Sequence, residues 1–143
     1  MWIYTKHVER GSVNVANAML WNVGRSNPQL RMLAPSGLYQ ISHSQDAASV
    51  TATLAVAPTF GQTVELLAGL SSTGAVTIRQ SLDGAADTSA GPSGALALVA
   101  AWAEQTIGIN GDPGNFVGFN AFTRVLVGAG TAVTTIAQAR LYA

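Results

Sequence analysis

From Ser49 to Val56 the chain reads SVTATLAV, with Val50, Ala52, Leu54 and Val56 at alternate positions and Thr51 and Thr53 between them. A period of two in a Val- and Thr-rich run puts apolar side chains on one face of an extended segment and hydroxyls on the other. That pattern belongs to a half-buried strand and not to a helix. Pro58 and Gly61 then break it. Thr63 to Ala68 forms a second run, and Ser71-Ser72-Thr73-Gly74 a turn. Ala75 to Ser81 (AVTIRQS) alternates again, with Val76 and Ile78 opposite Thr77 and Arg79. Two such runs with a short Ser/Gly connection predict an antiparallel hairpin.

The remaining segments follow the same logic. Leu82 to Gly94 (LDGAADTSAGPSG) has no periodicity and reads as a connection or surface flap. Leu96 to Gln105 (LALVAAWAEQ) combines helix-favouring Ala and Leu with strand-like alternation, and its surroundings favour a strand. Asn110 to Asn115 (NGDPGN) is a turn cluster. Phe116 to Val127 predicts one or two strands, Gly128-Ala129-Gly130 a turn, and Val133 to Tyr142 a last strand. No long amphipathic helix is present. The expected architecture is all-β: an antiparallel β-sandwich, jelly-roll-like, in one domain spanning residues 1–143. A chain of this size buries roughly two-thirds of its unfolded surface, enough for an independent core.

The start of the chain differs in character. Trp2, Tyr4, Lys6 and Val8 share one face if the segment is extended, and four of the seven basic residues (Lys6, Arg10, Arg25, Arg31) lie in the first 45 residues with Trp2 and Trp21. Residues 1–25 are therefore expected as an edge strand with its aromatics in the core, or as an extended arm docked on a neighbouring subunit. Trp2, Tyr4 and Trp21 are the candidate subunit or partner contacts, since aromatic side chains dominate interface energies.

Composition bounds the function. Only 10% of the residues are charged, seven basic against seven acidic, for a net charge of zero. A soluble domain commonly carries about a quarter charged residues, much of it dispersing the surface in water. A surface of Thr, Ser, Asn, Gln, Ala and Gly is better suited to packing against neighbours. Scattered cations form no basic patch, which argues against nucleic-acid binding. The most apolar stretch, Ala95 to Ala103, is about half a membrane span. The opening MWIYTKH lacks the pattern of a secretory leader, so an uncleaved protein made in the cytoplasm is expected, with no membrane partner. With no cysteine, disulfides, thiolate metal sites and Cys nucleophiles are excluded.

Catalytic constellations are absent. Ser42-His43-Ser44 with Asp46 supplies triad residue types, but neighbours on a strand point to opposite faces and cannot converge. His43 is instead expected as an exposed or capped residue in a turn. Asp83 and Asp87 read as solvated loop carboxylates and not as an acid/base pair. Gly108, Gly111 and Gly114 lack both the Walker Lys and the dinucleotide spacing. Asn110, Asp112 and Asn115 offer one carboxylate, too few for a strong Ca²⁺ site. No catalytic residue, metal or cofactor is expected, and the protein is not expected to be an enzyme. Trp102 with Asn110, Asp112 and Asn115 is the candidate carbohydrate-binding group, against a core role for Trp102.

Two resemblances add to this. The succession SVTATLAVAPTFGQTVELLAGLSSTGAVTIRQSLDG from Ser49 to Gly84 resembles the middle strands of galactose-binding-like (discoidin-type) jelly rolls. The closing TRVLVGAG…TTIAQARLYA resembles their last two strands, and the resemblance implies a sugar-binding module. The Ala/Gly/Thr/Val-rich, cysteine-free, charge-poor chain is also similar to small virion proteins of tailed bacteriophages, such as capsid decoration and tail accessory proteins. That similarity implies a virion structural protein that packs as a homo-oligomer, with trimers as one form, and against a major capsid or tail protein. The alternative is a carbohydrate-binding module of a phage tail.

Overall fold

In a computed structural model of the chain, the described residues are 1–9, 18–22, 28–33, 35–45, 47–96, 118–126 and 133–142. Nine strands and one short helix form: β1 (Trp2–Glu9), β2 (Ala18–Asn22), β3 (Gln29–Met32), β4 (Tyr39–Gln45), β5 (Ala48–Thr53), β6 (Thr63–Leu70), β7 (Val76–Leu82), β8 (Thr88–Ala90), β9 (Gly118–Leu126) and α1 (Ile136–Arg140). The strands make two antiparallel sheets, one in the order β8-β7-β6-β1-β9 and the other β2-β3-β4-β5. The protein is an all-β sandwich, as its alternation predicts. Among the described strands β2 to β5 and β6 to β8 run as meanders, and β1 enters the five-stranded sheet by a crossover between β6 and β9.

The pleat explains the core. Val64, Leu66, Ala68 and Leu70 of β6, Val76 and Ile78 of β7, and Ile3 of β1 face the second sheet. They meet Leu20, Leu30, Met32, Tyr39, Ile41, Ala52 and Leu54 across the interface. Each fully buried Leu or Ile contributes about 1.5–3 kcal/mol, so this one cluster dominates the stability. The predicted hairpin forms in register, from Val64↔Leu82 to Leu70↔Val76. Its turn ends at Gly74, where φ is +82° and an added Cβ would sit 1.6 Å from the Leu96 carbonyl oxygen. Only glycine fits there.

Four expectations need correction. The first concerns β1, which is neither an edge strand nor an arm. It lies inside its sheet, paired with β6 on one side and β9 on the other. Its odd residues from Ile3 to Glu9 are buried and on the other face Tyr4 is buried too, which a free arm would not allow. Second, Val133 to Tyr142 is not a strand: Thr135 caps α1, accepting from the Gln138 amide while the Gln138 side chain returns to the Thr135 amide. That reciprocal pair satisfies two orphan donors of the first turn and selects helix over extended chain.

Third, the connection after Leu82 is ordered by β8, which pairs Ile78↔Ala90 through Gln80↔Thr88. Asp83 there (φ 51°) accepts from the Thr63 amide at 2.8 Å and from Gln62 at 3.2 Å, and Asp87 pairs with Arg79 at 3.3 Å. Neither carboxylate is merely solvated. Last, His43 is fully buried within β4, and Ser42 beside it is 2% exposed. Asp46 and the predicted Leu96 to Gln105 strand, apart from Leu96, lie outside the described residues.

Candidate functional site

Two polar clusters stand out, one inside the sandwich and one beneath α1. On β1 the residues that follow Ile3 on the inward face are Thr5, His7 and Glu9, all buried. Polar groups brought into a core need hydrogen bonds to offset lost hydration. Tyr39 of β4 supplies them: its hydroxyl donates to Glu9 Oε2 at 2.9 Å and lies 2.7 Å from His7 Nε2. A phenol has one proton to give, so His7 must donate from Nε2 into the Tyr39 oxygen. The chain of donors therefore runs His7 to Tyr39 to Glu9. The His7 and Tyr39 rings meet edge to face, with centroids 5.7 Å apart.

Burial sets the protonation states. It pushes the His7 pKa down to about 4, so the imidazole is neutral at neutral pH. Burial, reinforced by the neighbouring Glu9, pushes the Tyr39 phenol well above its ordinary value, so it stays a donor. A neutral imidazole wedged against a phenol, with no exposed surface, is arranged to fix the two sheets and not to reach a substrate. The bridge ties β1 of one sheet to β4 of the other.

The second cluster sits on the opposite face of the five-stranded sheet. Tyr4, Leu67, Ile136 and Ala139 form a small apolar cluster beneath α1, with Trp2 and Val133 packed against it. Glu65 of β6 is 2% exposed at its margin. Arg140, in the last turn of α1, reaches it with two nitrogens: Nε to Oε1 at 2.9 Å and Nη2 to Oε2. The Tyr4 hydroxyl donates to Glu65 Oε1, and Arg140 Nη2 also reaches Ser81 Oγ at 3.3 Å. The Arg140 hydrogen bonds hold the Glu65 carboxyl below its usual range, outweighing the opposing effect of burial. This carboxylate pins the helix to the sheet.

Arg140→Met is expected to cost about 1–3 kcal/mol in urea unfolding, because it leaves a buried carboxylate with too few donors. Adding Glu65→Gln should recover part of that loss. A double variant no more stable than Arg140→Met would show that the pair does not carry the effect.

The sequence-predicted residues fall in different places. Trp2 is half-buried, and its indole lies over Gly69, its register partner, filling the space of the missing side chain. An added Cβ at Gly69 would come within 2.2 Å of that ring. Tyr4 is 1% exposed, so its ring is buried within its own subunit and offers no surface to a partner. The fold brings Trp2 and Tyr4 to one face. Trp21 belongs to β2 of the other sheet, opposite Leu30. Its side chain, with Trp102, Asn110, Asp112 and Asn115, lies outside the described residues.

Sequence reasoning did not assign roles to Glu65, Arg140, His7, Tyr39 and Glu9. One signal was available: a single acid inside the apolar run VELLAGL demands a cation or several donors once both faces of the strand are covered. Among the described residues no three His, Asp or Glu side chains gather in a metal-binding group. None of the helices described is long and apolar enough to cross a membrane. Compared with known family models, curated proteins and solved structures, the chain matches none, and its role is read from its own residues.

Proposed function

We propose that the protein is a structural subunit of a particle, of the kind that small virion proteins of bacteriophages provide, made in the host cytoplasm and acting by packing against its own copies and a major capsid or tail protein. One observation carries the reading: among the described residues, the charged side chains other than Lys6 are engaged within the fold. Glu9 and Glu65 are buried, Arg79 binds Asp87, Arg31 binds Gln40, and Asp83 and Arg140 hold the chain together at turn and helix. Lys6 is the exposed charge that no described hydrogen bond engages. Among the described residues the rest of the exposed surface is mostly Ser, Thr, Ala and Gly, with Val56, Phe60, Leu141 and Tyr142 as large apolar side chains in the open. Such a surface is weakly dispersed by charge and loses little hydration on packing. Half-buried Trp2, together with Phe60 and Tyr142, provides aromatic anchors of the kind that dominate interfaces.

Particles purified from the host that makes this chain test the reading. The protein should be present at stoichiometric copy number and cross-link to a shell or tail protein. Particles lacking it should come apart at lower temperature. Purified particles free of the protein would overturn the proposal.

A further inference from the structure

Among the described strands, four end the two sheets: β8, β9, β2 and β5. An open sheet edge presents unpaired amides and carbonyls, and natural proteins blunt it by shortness, charge, proline or a bulge. β8 is three residues long and Pro92 follows closely. The β1–β9 ladder shifts register between Lys6 and His7, and the β2–β3 ladder between Met19 and Trp21. β5 uses none of these devices. It reads ASVTAT, without charge, proline or glycine, and its ladder with β4 is unbroken from Gln40↔Thr53 to Gln45↔Ala48.

The phase of this edge is fixed. Leu54 donates to the Tyr39 carbonyl at 2.9 Å, so in an antiparallel ladder Ala52 and Val50 also turn their main chain toward β4. Ser49, Thr51 and Thr53 then direct their amides and carbonyls away from the sheet. The Ser49 and Thr51 side chains are exposed as well.

We propose that β5 pairs antiparallel with β5 of a second copy, across a two-fold axis at Thr51, joining the two four-stranded sheets into one. Ser49 of each copy then faces Thr53 of the other, and Thr51 faces Thr51. The three outward residues of each copy form about six main-chain hydrogen bonds between them. The strip is self-complementary, which a two-fold contact requires. Hydroxyl meets hydroxyl in cross-strand pairs, and no like charges are brought together. Small hydroxyl side chains at all three outward positions let the strand oppose itself without steric or charge conflict, so a second copy fits the strip. The contact deepens and in that sense rests on the packing reading above. It is tested on purified protein alone, so its failure leaves the particle experiment to be decided separately.

Light scattering coupled to size exclusion should show the full chain as a dimer at tens of micromolar. Thr51→Lys places two ammonium groups at the axis and should weaken dimerisation at least about tenfold, with the circular dichroism and melting of the monomer unchanged. Thr51→Glu should do the same, and mixing the two variants should restore a heterodimer. Amide hydrogen exchange of the wild-type chain reads the same edge without a substitution: Ser49, Thr51 and Thr53 should lose protection on dilution. A monomeric wild type, a dimer untouched by Thr51→Lys, or a variant mixture that stays monomeric would each overturn the proposal.

Discussion

Replacing Tyr39 by Phe is expected to lower the melting temperature by roughly 10 °C, equivalent to about 2–4 kcal/mol for a domain of this size. The change removes one oxygen and keeps the ring, so the apolar packing of Tyr39 within the core cluster is conserved. What it removes is the bridge between His7 and Glu9, which are 0% and 3% exposed. The His7 Nε2–H loses its acceptor and Glu9 Oε2 loses a donor, at positions where water does not reach. Removing a hydrogen-bond partner from two buried polar groups costs more than the net worth of the bonds themselves. Chemical denaturation of Tyr39→Phe against wild type measures it. A variant within about 2 °C of wild type would show that the bridge holds the sheets together only weakly.

The same cluster should make the protein acid-labile through His7. The folded protein holds the His7 pKa near 4, against 6.5 for an unperturbed imidazole. Above pH 6.5 the imidazole is neutral in both states and its contribution is constant. As pH falls below that value the unfolded chain takes up the proton first, so the unfolded state is favoured progressively until the folded imidazole also protonates near pH 4. The separation corresponds to about 3 kcal/mol of stability lost across that window. The Glu65 carboxyl, whose pKa is lowered, adds its own loss only below its ordinary value of 4.5. His7→Gln keeps an amide N–H for Tyr39 but does not titrate. Its unfolding free energy should fall less steeply between pH 6.5 and 4.5, by close to one proton. An identical slope in the two proteins would remove His7 from the acid response.

Particular elements show how far the sequence could be read. The alternation of Ser49 to Val56 and Ala75 to Ser81 gave the faces of β5 and β7, because the pleat is a property of the backbone alone, though β5 ends at Thr53 and Val56 beyond it is exposed. The shared face of Trp2, Tyr4, Lys6 and Val8 also followed from that pleat. Where that face would lie did not. An edge strand and a central strand differ by what pairs with them, and β1 acquires β6 and β9 from residues more than fifty positions away.

The closing segment shows the opposite failure. Its local signal was present, Thr135 spaced three residues before Gln138, yet five residues are too few for a helical period to outweigh strand-like alternation. The helix persists because Ile136 and Ala139 dock beneath it and Arg140 reaches Glu65.

The sequence by itself determined the class of the fold, the hairpin of β6 and β7, and a composition poor in charge, since all three follow from local period and residue content. Only the tertiary structure decided which charges and phenols meet. His7 finds Tyr39 thirty-two residues away and Arg140 finds Glu65 seventy-five residues away. Which partner each would find has no trace in the neighbouring residues, because nothing local rewards the pair until packing excludes water from both.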